Sequence, residues 1–82
     1  MTTIKKTTYK DQVIDYVYQC ILDGRHLPGD QIKEALLAGE LGISRAPVRE
    51  ALKELTVNGI IDYRPQVGSF IAFLPPQQIR DV

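Results

Sequence analysis

Residues 36–59 read LLAGELGISRAPVREALKELTVNG, and this stretch decides the fold. Its apolar residues recur at helical spacing on both sides of Gly42, which predicts two short helices joined by a tight turn. A glycine suits that turn because it adopts positive φ without steric cost. Ala38 is small enough for the two helices to cross closely, and Ser44 stands where an N-cap is expected, its hydroxyl able to accept a backbone N–H. The stretch has the pattern of a helix-turn-helix.

The second of these helices, predicted over residues 45–58, separates its residue types onto different faces. Its apolar residues gather on the side that must face the core: Val48, Ala51, Leu52 and Leu55. Arg45, Arg49 and Lys53 follow each other at intervals of four and form a row along one edge of that face, while two glutamates fall on the far side. Because a major groove admits an α-helix and phosphates favour such a row of cations, the pattern is typical of a DNA recognition helix.

Each basic residue has an alternative role. Exposed arginines also pair with acids of neighbouring helices, and such pairs are common and weak. Arg49 alone fits either role, but Arg45 one turn earlier lies in register with it, which favours DNA contact for both. Lys53 fits the role of a solvated surface lysine as well as that of a phosphate contact. The sequence leaves the role of Arg64 undecided in the same way.

The composition indicates one small domain. The 82 residues are 44% hydrophobic, which is ordinary for a globular protein. Ten basic and ten acidic residues give no net charge, and this argues against a strongly basic nucleic-acid binder. The charges are unevenly distributed, however: residues 1–10 carry three lysines and no acid, whereas residues 11–40 carry six acids and two bases. We therefore expect a dipolar molecule with one basic face.

Several classes of function are disfavoured. The single cysteine, Cys20, rules out an internal disulfide and an all-cysteine metal cluster, and its helical phase predicts burial beside Val13 and Val17. The sequence has no glycine-rich phosphate loop and no metal-ligand motif, so we expect no catalysis, cofactor or metal. Neither a membrane span nor a signal peptide is recognisable, which predicts a cytoplasmic location.

The remaining elements complete a recognisable order. A first helix is predicted over residues 8–23, capped by Thr7 or Thr8 and ended by Gly24. The predicted elements that follow are a very short strand at Gln31-Ile32, helices over 34–41 and 45–58, and strands over 60–63 and 69–73 joined by a loop at 64–68. Three helices followed by a two-stranded hairpin predict a mainly α-helical winged helix-turn-helix.

The chain is thereby divided into three parts. Residues 8–74 form the predicted winged helix-turn-helix domain, and residues 1–7 a flexible basic segment. Pro75-Pro76 breaks the strand pattern, so residues 75–82 are predicted to be a linker toward a C-terminal effector domain outside this sequence.

Residues 42–52, GISRAPVREAL, closely resemble the recognition-helix motif of the GntR family of bacterial transcription regulators, usually written LGVSR-x-PVREAL. Leu55 and Gly59 match the leucine and glycine that follow that motif. The resemblance extends from about Val13 to Ala72, and includes the turn at residues 27–30 and the wing. Pro47 resembles the FadR-like branch, whose effector domain is all-helical.

The resemblance implies a mechanism and a set of contacts. Family members bind short palindromic operators in double-stranded DNA as homodimers, with the third helix in the major groove and the wing against the minor groove or backbone. The predicted DNA-binding residues are Ser44, Arg45, Ala46, Pro47, Arg49 and Lys53 on the helix, and Gln66, Val67, Gly68 and Ser69 on the wing. The family's C-terminal domain supplies dimerisation and effector response, so we expect these residues alone to be mostly monomeric.

Two departures from the family pattern weaken the expected electrostatics. Many relatives carry an arginine where this chain has Ala35, and basic residues where it has Gln66 and Val67. The alternative function is a protein-interaction module, since winged helices also serve for docking. A docking module has no need for Arg45 and Arg49 on one face, so the charge of the third helix distinguishes the two functions.

Overall fold

The computed structural model describes residues 8–73, and the predictions for residues 1–7 and 75–82 lie outside that range. The elements are α1 (Tyr9–Asp23), β1 (Gln31–Ile32), α2 (Glu34–Leu41), α3 (Arg45–Val57), β2 (Ile61–Arg64) and β3 (Gly68–Ile71). The three helices agree with the predicted ones to within a residue at each end. The strands of the wing are displaced by one or two residues from the predicted spans. None of the described helices has the length and apolarity needed to cross a membrane.

The sheet has three strands in the order β1-β3-β2, all antiparallel, rather than the two of the predicted wing. The very short strand at Gln31–Ile32 pairs with β3, opposite Phe70 and Ser69. Two residues are too few to show the alternation of apolar and polar residues that indicates a strand, and the sequence therefore shows no sign of this pairing. Because β1 directly precedes α2, this pairing ties the wing to the helix-turn-helix.

The core lies where α1 and α2 pack on α3 and where α3 meets the sheet. Its buried residues are Val13, Val17, Cys20, Ile32, Leu37, Ala38, Val48, Ala51, Leu52, Leu55, Ile61 and Ile71. Each large apolar side chain among them contributes roughly 1.5–3 kcal/mol through burial. Cys20 is a free, buried thiol, as predicted. Tyr18 and Leu22 of α1 are exposed, because Cys20 and not Leu22 continues the buried row of Val13 and Val17.

The helix ends follow the local chemistry with one exception. Thr8 caps α1: its Oγ1 accepts from the Asp11 N–H at 3.1 Å, and its own N–H donates to Asp11 Oδ2 at 3.4 Å. Ser44 is the N-cap of α3, as predicted, but its hydroxyl makes no capping hydrogen bond, so that part of the prediction was wrong. An N-cap oxygen usually accepts from the N2 or N3 N–H, and the N3 residue here is Pro47, which has no N–H.

Candidate nucleic-acid interface

The orientation of α3 follows from the burial of its inner face. Val48, Ala51 and Leu55 are wholly inaccessible to solvent, and this fixes the rotation of the helix about its axis. The predicted basic row consequently points outward, with 62% of the Arg45 side chain and 56% of the Arg49 side chain exposed. Lys53 is also exposed, and it forms no ion pair with any other described residue.

The acids of α3 lie on the opposite side. Glu54 forms an ion pair with Lys10 of α1, with Nζ and Oε1 2.9 Å apart. That contact, with a smaller contribution from Glu50, raises the pKa of Lys10. The separation of basic and acidic residues predicted for this helix is therefore present in the fold.

An acid of α2 reaches the basic row from the side. Glu34 accepts two hydrogen bonds from Arg49, with Nε–Oε2 at 3.1 Å and Nη2–Oε1 at 3.2 Å. Arg45 Nε lies 3.8 Å from the same Oε1. The hydrogen bond and the charge of Glu34 raise the pKa of Arg49. The ion pairing that the sequence left open for Arg49 is thus formed in the isolated domain.

This pairing leaves both guanidinium groups accessible. The Glu34 side chain is only 26% exposed, whereas the arginines project past it into solvent. Because both arginine side chains stay more than half exposed, a phosphate or a base edge can still reach them. Glu34 was absent from the residues predicted for the site, since it lies 15 positions before Arg49 and no periodicity links the two.

The start of α3 presents the remaining predicted helix residues. Ser44 and Ala46 are exposed, and Pro47 is half-buried in the first turn. This N-terminus has no side-chain capping hydrogen bond and no acid in its first turn, so no acid of that turn neutralises the positive end of the helix dipole. Backbone N–H groups and a free hydroxyl at such an end are suited to an anion.

The wing tip is held in a strained backbone geometry. Gln66 has φ of +66° and Gly68 has φ of +138°, and the Val67 N–H donates to the Arg64 carbonyl at 3.0 Å. The Gln31 side chain donates from Nε2 to the Val67 carbonyl at 3.2 Å. A Cβ on Gly68 would lie 2.5 Å from the same Nε2. A residue of β1, which the sequence did not assign to the site, therefore packs against the wing tip.

The two faces of the hairpin differ. Alternation along paired strands places Tyr63 and Ser69 on the face that continues the buried pair Ile61 and Ile71. That face borders a cleft against α3, which is lined by Glu34, Arg49, Leu52, Lys53, Thr56, Val57, Tyr63 and Ser69. The structure thus brings the predicted wing residue Ser69 together with Arg49 and Lys53.

Arg64 lies on the other face of the hairpin. Its Nη2 lies 3.2 Å from Asp62 Oδ2, and its guanidinium stands 5.8 Å from the centre of the Phe70 ring. These contacts favour a structural role for Arg64. Within residues 8–73, no group of three or more His, Cys, Asp or Glu side chains is placed to hold a metal ion.

Three helices with a β-stranded wing and an outward basic row on the third helix define a winged helix-turn-helix protein. The family described as "Bacterial regulatory proteins, gntR family" matches residues 9–71. The chain therefore belongs to the GntR family of bacterial regulators.

Individual relatives agree with this assignment. The "Probable D-xylose utilization operon transcriptional repressor" of Paenarthrobacter nicotinovorans is 34% identical over 76 residues, which are 93% of this chain and 34% of the relative. The repressor RspR of Escherichia coli K12 is 39% identical over 54 residues, 66% of this chain and 24% of that protein. The chain thus spans about a third of the first relative's length and about a quarter of the second's.

Solved structures share the fold. Lar, which controls the expression of the Listeria monocytogenes agr system, superposes with a TM-score of 0.76 at 31% identity, covering 85% of this chain and 33% of Lar. The DNA-binding domain of AraR, solved in complex with operator ORX1, superposes with a TM-score of 0.73 at 25% identity, covering 88% of this chain and 90% of that domain.

Proposed function

We propose that this domain binds double-stranded DNA sequence-specifically as part of a bacterial transcription regulator, with α3 in the major groove. The observation that carries the proposal is the outward row of Arg45, Arg49 and Lys53 on a helix whose inner face is wholly buried. Such a helix can enter a groove as a rigid unit because its orientation is set by the core. Its 13 residues span roughly 20 Å along the helix axis, and an α-helix with side chains, about 10–12 Å across, fits a major groove about 12 Å wide.

The predicted contacts divide into base contacts and backbone contacts. Arg45 and Arg49 reach guanine edges or nearby phosphates, for which a bidentate guanidinium is suited. Ser44, Ala46 and Pro47 lie at the helix entry, where small side chains allow the helix N-terminus to approach a phosphate. Lys53 contacts the backbone further along the helix. In the complex, Glu34 gives up at least one of its two arginine partners to the DNA.

The wing is the second contact. Gln66, Val67, Gly68 and Ser69 brace the neighbouring backbone or the minor groove in this proposal. Because positions 66 and 67 carry no basic residue, the wing contributes little to the electrostatic part of the binding free energy. Recognition then depends mainly on α3.

The assembly on DNA is a homodimer on a palindromic operator. Residues 9–71 correspond to the family's DNA-binding unit, and the longer relatives carry much additional chain, to which we assign dimerisation and effector response. We therefore expect residues 1–82 alone to sediment as a monomer at micromolar concentration. We place the regulator in the cytoplasm with the DNA, and we propose, from Pro47, that it belongs to the FadR-like branch.

Fluorescence anisotropy with a library of short duplexes tests the proposal. We expect selective binding that weakens steeply with salt, and in Arg49→Ala a loss of about tenfold or more on the preferred duplex with a smaller loss on unrelated duplexes. Arg25→Ala is the matched control, because Arg25 is equally exposed but pairs with Asp23 at the end of α1. Absence of binding at low salt would favour the protein-interaction module, and unchanged selectivity in Arg49→Ala would refute recognition by α3.

A further inference from the structure

We propose that Tyr63 is a DNA-contacting residue, whose hydroxyl donates to one backbone phosphate in the cleft between α3 and the wing, beside Lys53. This inference rests on the proposed function, and it adds a site for one particular phosphate. It also assigns a role to a residue that was not among the predicted DNA-binding residues.

The geometry of the sheet directs Tyr63 into the cleft. Ile61 and Ile71 form a cross-strand pair in the core, and the pair Tyr63–Ser69 follows two residues further out on the same face. Because the core ends between these two pairs, Tyr63 remains 56% exposed. Its side chain lines the cleft opposite Arg49 and Lys53.

The walls of the cleft are mostly apolar, and its charged groups at one side favour an anion. Arg49 and Lys53 contribute two positive charges against the single charge of Glu34, whose two oxygens already accept from Arg49. Among the described residues, no hydrogen-bond partner is found for the Tyr63 hydroxyl, whereas the Tyr16 hydroxyl donates to Glu40 at 3.1 Å. A phenol also loses little conformational entropy on ordering, since it has only two side-chain torsions.

The position of the cleft identifies the phosphate as one of the DNA backbone. When α3 lies in a major groove and the wing against the adjacent minor groove, the sugar–phosphate strand that separates the grooves passes between them. The cleft is the space between these two elements, and its basic residues belong to the outward row of α3. Tyrosine hydroxyls are among the usual donors to DNA phosphates, and such contacts position a protein without reading sequence.

The first test compares Tyr63→Phe with Tyr18→Phe by anisotropy on the preferred duplex and on an unrelated one. Tyr18 is a suitable control because it is exposed but lines a separate apolar groove with Leu22 and Phe73. We expect Tyr63→Phe to weaken binding to both duplexes by a similar factor, roughly 3- to 10-fold, with an unchanged salt dependence because no charge is lost. Lys53→Ala should reduce the salt slope by about one.

The second test locates the contact. Neutral methylphosphonates replace the phosphates of the preferred duplex one at a time, and each duplex is titrated with wild type and with Tyr63→Phe. At one position the two losses should not add, because the neutral methylphosphonate weakens the acceptor of the same hydrogen bond that Tyr63→Phe removes. The melting temperature measured by circular dichroism should be the same for wild type and Tyr63→Phe, since Tyr63 is more than half exposed.

The outcomes separate the two proposals. Wild-type affinity in Tyr63→Phe, or losses that add at every phosphate, would overturn the role of Tyr63 while leaving recognition by α3 intact. A wild-type domain that binds no duplex would overturn both. Loss of binding that is confined to the preferred duplex would also contradict a phosphate contact, because it would indicate base readout.

Discussion

Helix α3 and the wing approach the same cleft, but they are held in place by different forces. Three side chains of α3 are wholly buried, so its orientation is set by core packing. The wing tip is held by backbone pairing within the sheet and by one side-chain hydrogen bond, from Gln31 to the Val67 carbonyl. The comparison indicates that the recognition helix cannot be rotated without unfolding the domain, whereas the wing can be loosened while the core stays intact.

Removing a core anchor of α3 should have the largest effect. Leu55 is fully buried, so Leu55→Ala should lower the free energy of unfolding by about 2–5 kcal/mol, through lost burial and the cavity left behind. Urea denaturation followed by circular dichroism measures the free energy of unfolding of the variant and of the wild type. Val57→Ala, on the same helix but 84% exposed, should change it by less than about 0.5 kcal/mol. Equal effects of the two variants would contradict the assigned orientation of α3.

Disturbing the wing should cost less. Gly68→Ala places a Cβ 2.5 Å from Gln31 Nε2 at a residue with φ of +138°, so we expect a loss of about 1–3 kcal/mol in unfolding free energy. Gly39→Ala is the matched control, because Gly39 lies in α2 with no atom near its Cβ position. That variant should be stabilised by roughly 0.5–1 kcal/mol, since alanine is the better helix former.

The double variant Gln31→Ala/Gly68→Ala distinguishes the two causes of this loss. Gln31→Ala removes the atom that would clash, and the strain of the positive φ remains. The double variant should therefore be more stable than the sum of the two single changes predicts. Strict additivity would mean that Gln31 does not contact the wing tip in solution.

The smallest expected effect is at the acid between α2 and α3. Glu34→Gln removes the carboxylate that holds Arg49 and Arg45, so binding to unrelated duplexes should strengthen about threefold, with a salt slope steeper by about one. Discrimination between the preferred and unrelated duplexes should decrease, because Arg49 loses its orienting partner. Anisotropy at two salt concentrations measures both quantities.

The control for this change is Glu50→Gln. It removes the same charge from the far side of α3, where Glu50 lies near Lys10. We expect a smaller gain in affinity and unchanged discrimination. If Glu34→Gln leaves discrimination intact as well, Glu34 acts only through its charge and not as a positioning residue for Arg49.

The helices were predictable because their signals are local. Apolar spacing, Gly24 and the Thr8 cap defined α1, and the residues after Gly42 indicated both the buried and the basic side of α3. Ser44 is the N-cap as predicted, and the failed prediction of its capping hydrogen bond was local too, since the proline at N3 explains it. The pairing of β1 with β3 was not predictable, because a two-residue strand carries no periodic signal.

The sequence by itself determined the class of protein, since the order of helices and strands and the segregation of charge along α3 are both visible in local residue patterns. Only the tertiary structure decided which distant groups come together around α3 and the wing. Glu34 against Arg49, Gln31 against the wing tip and Tyr63 in the cleft join elements far apart in the chain. Such contacts follow from helix crossing and strand register, which are set by packing of the whole core and leave no local pattern.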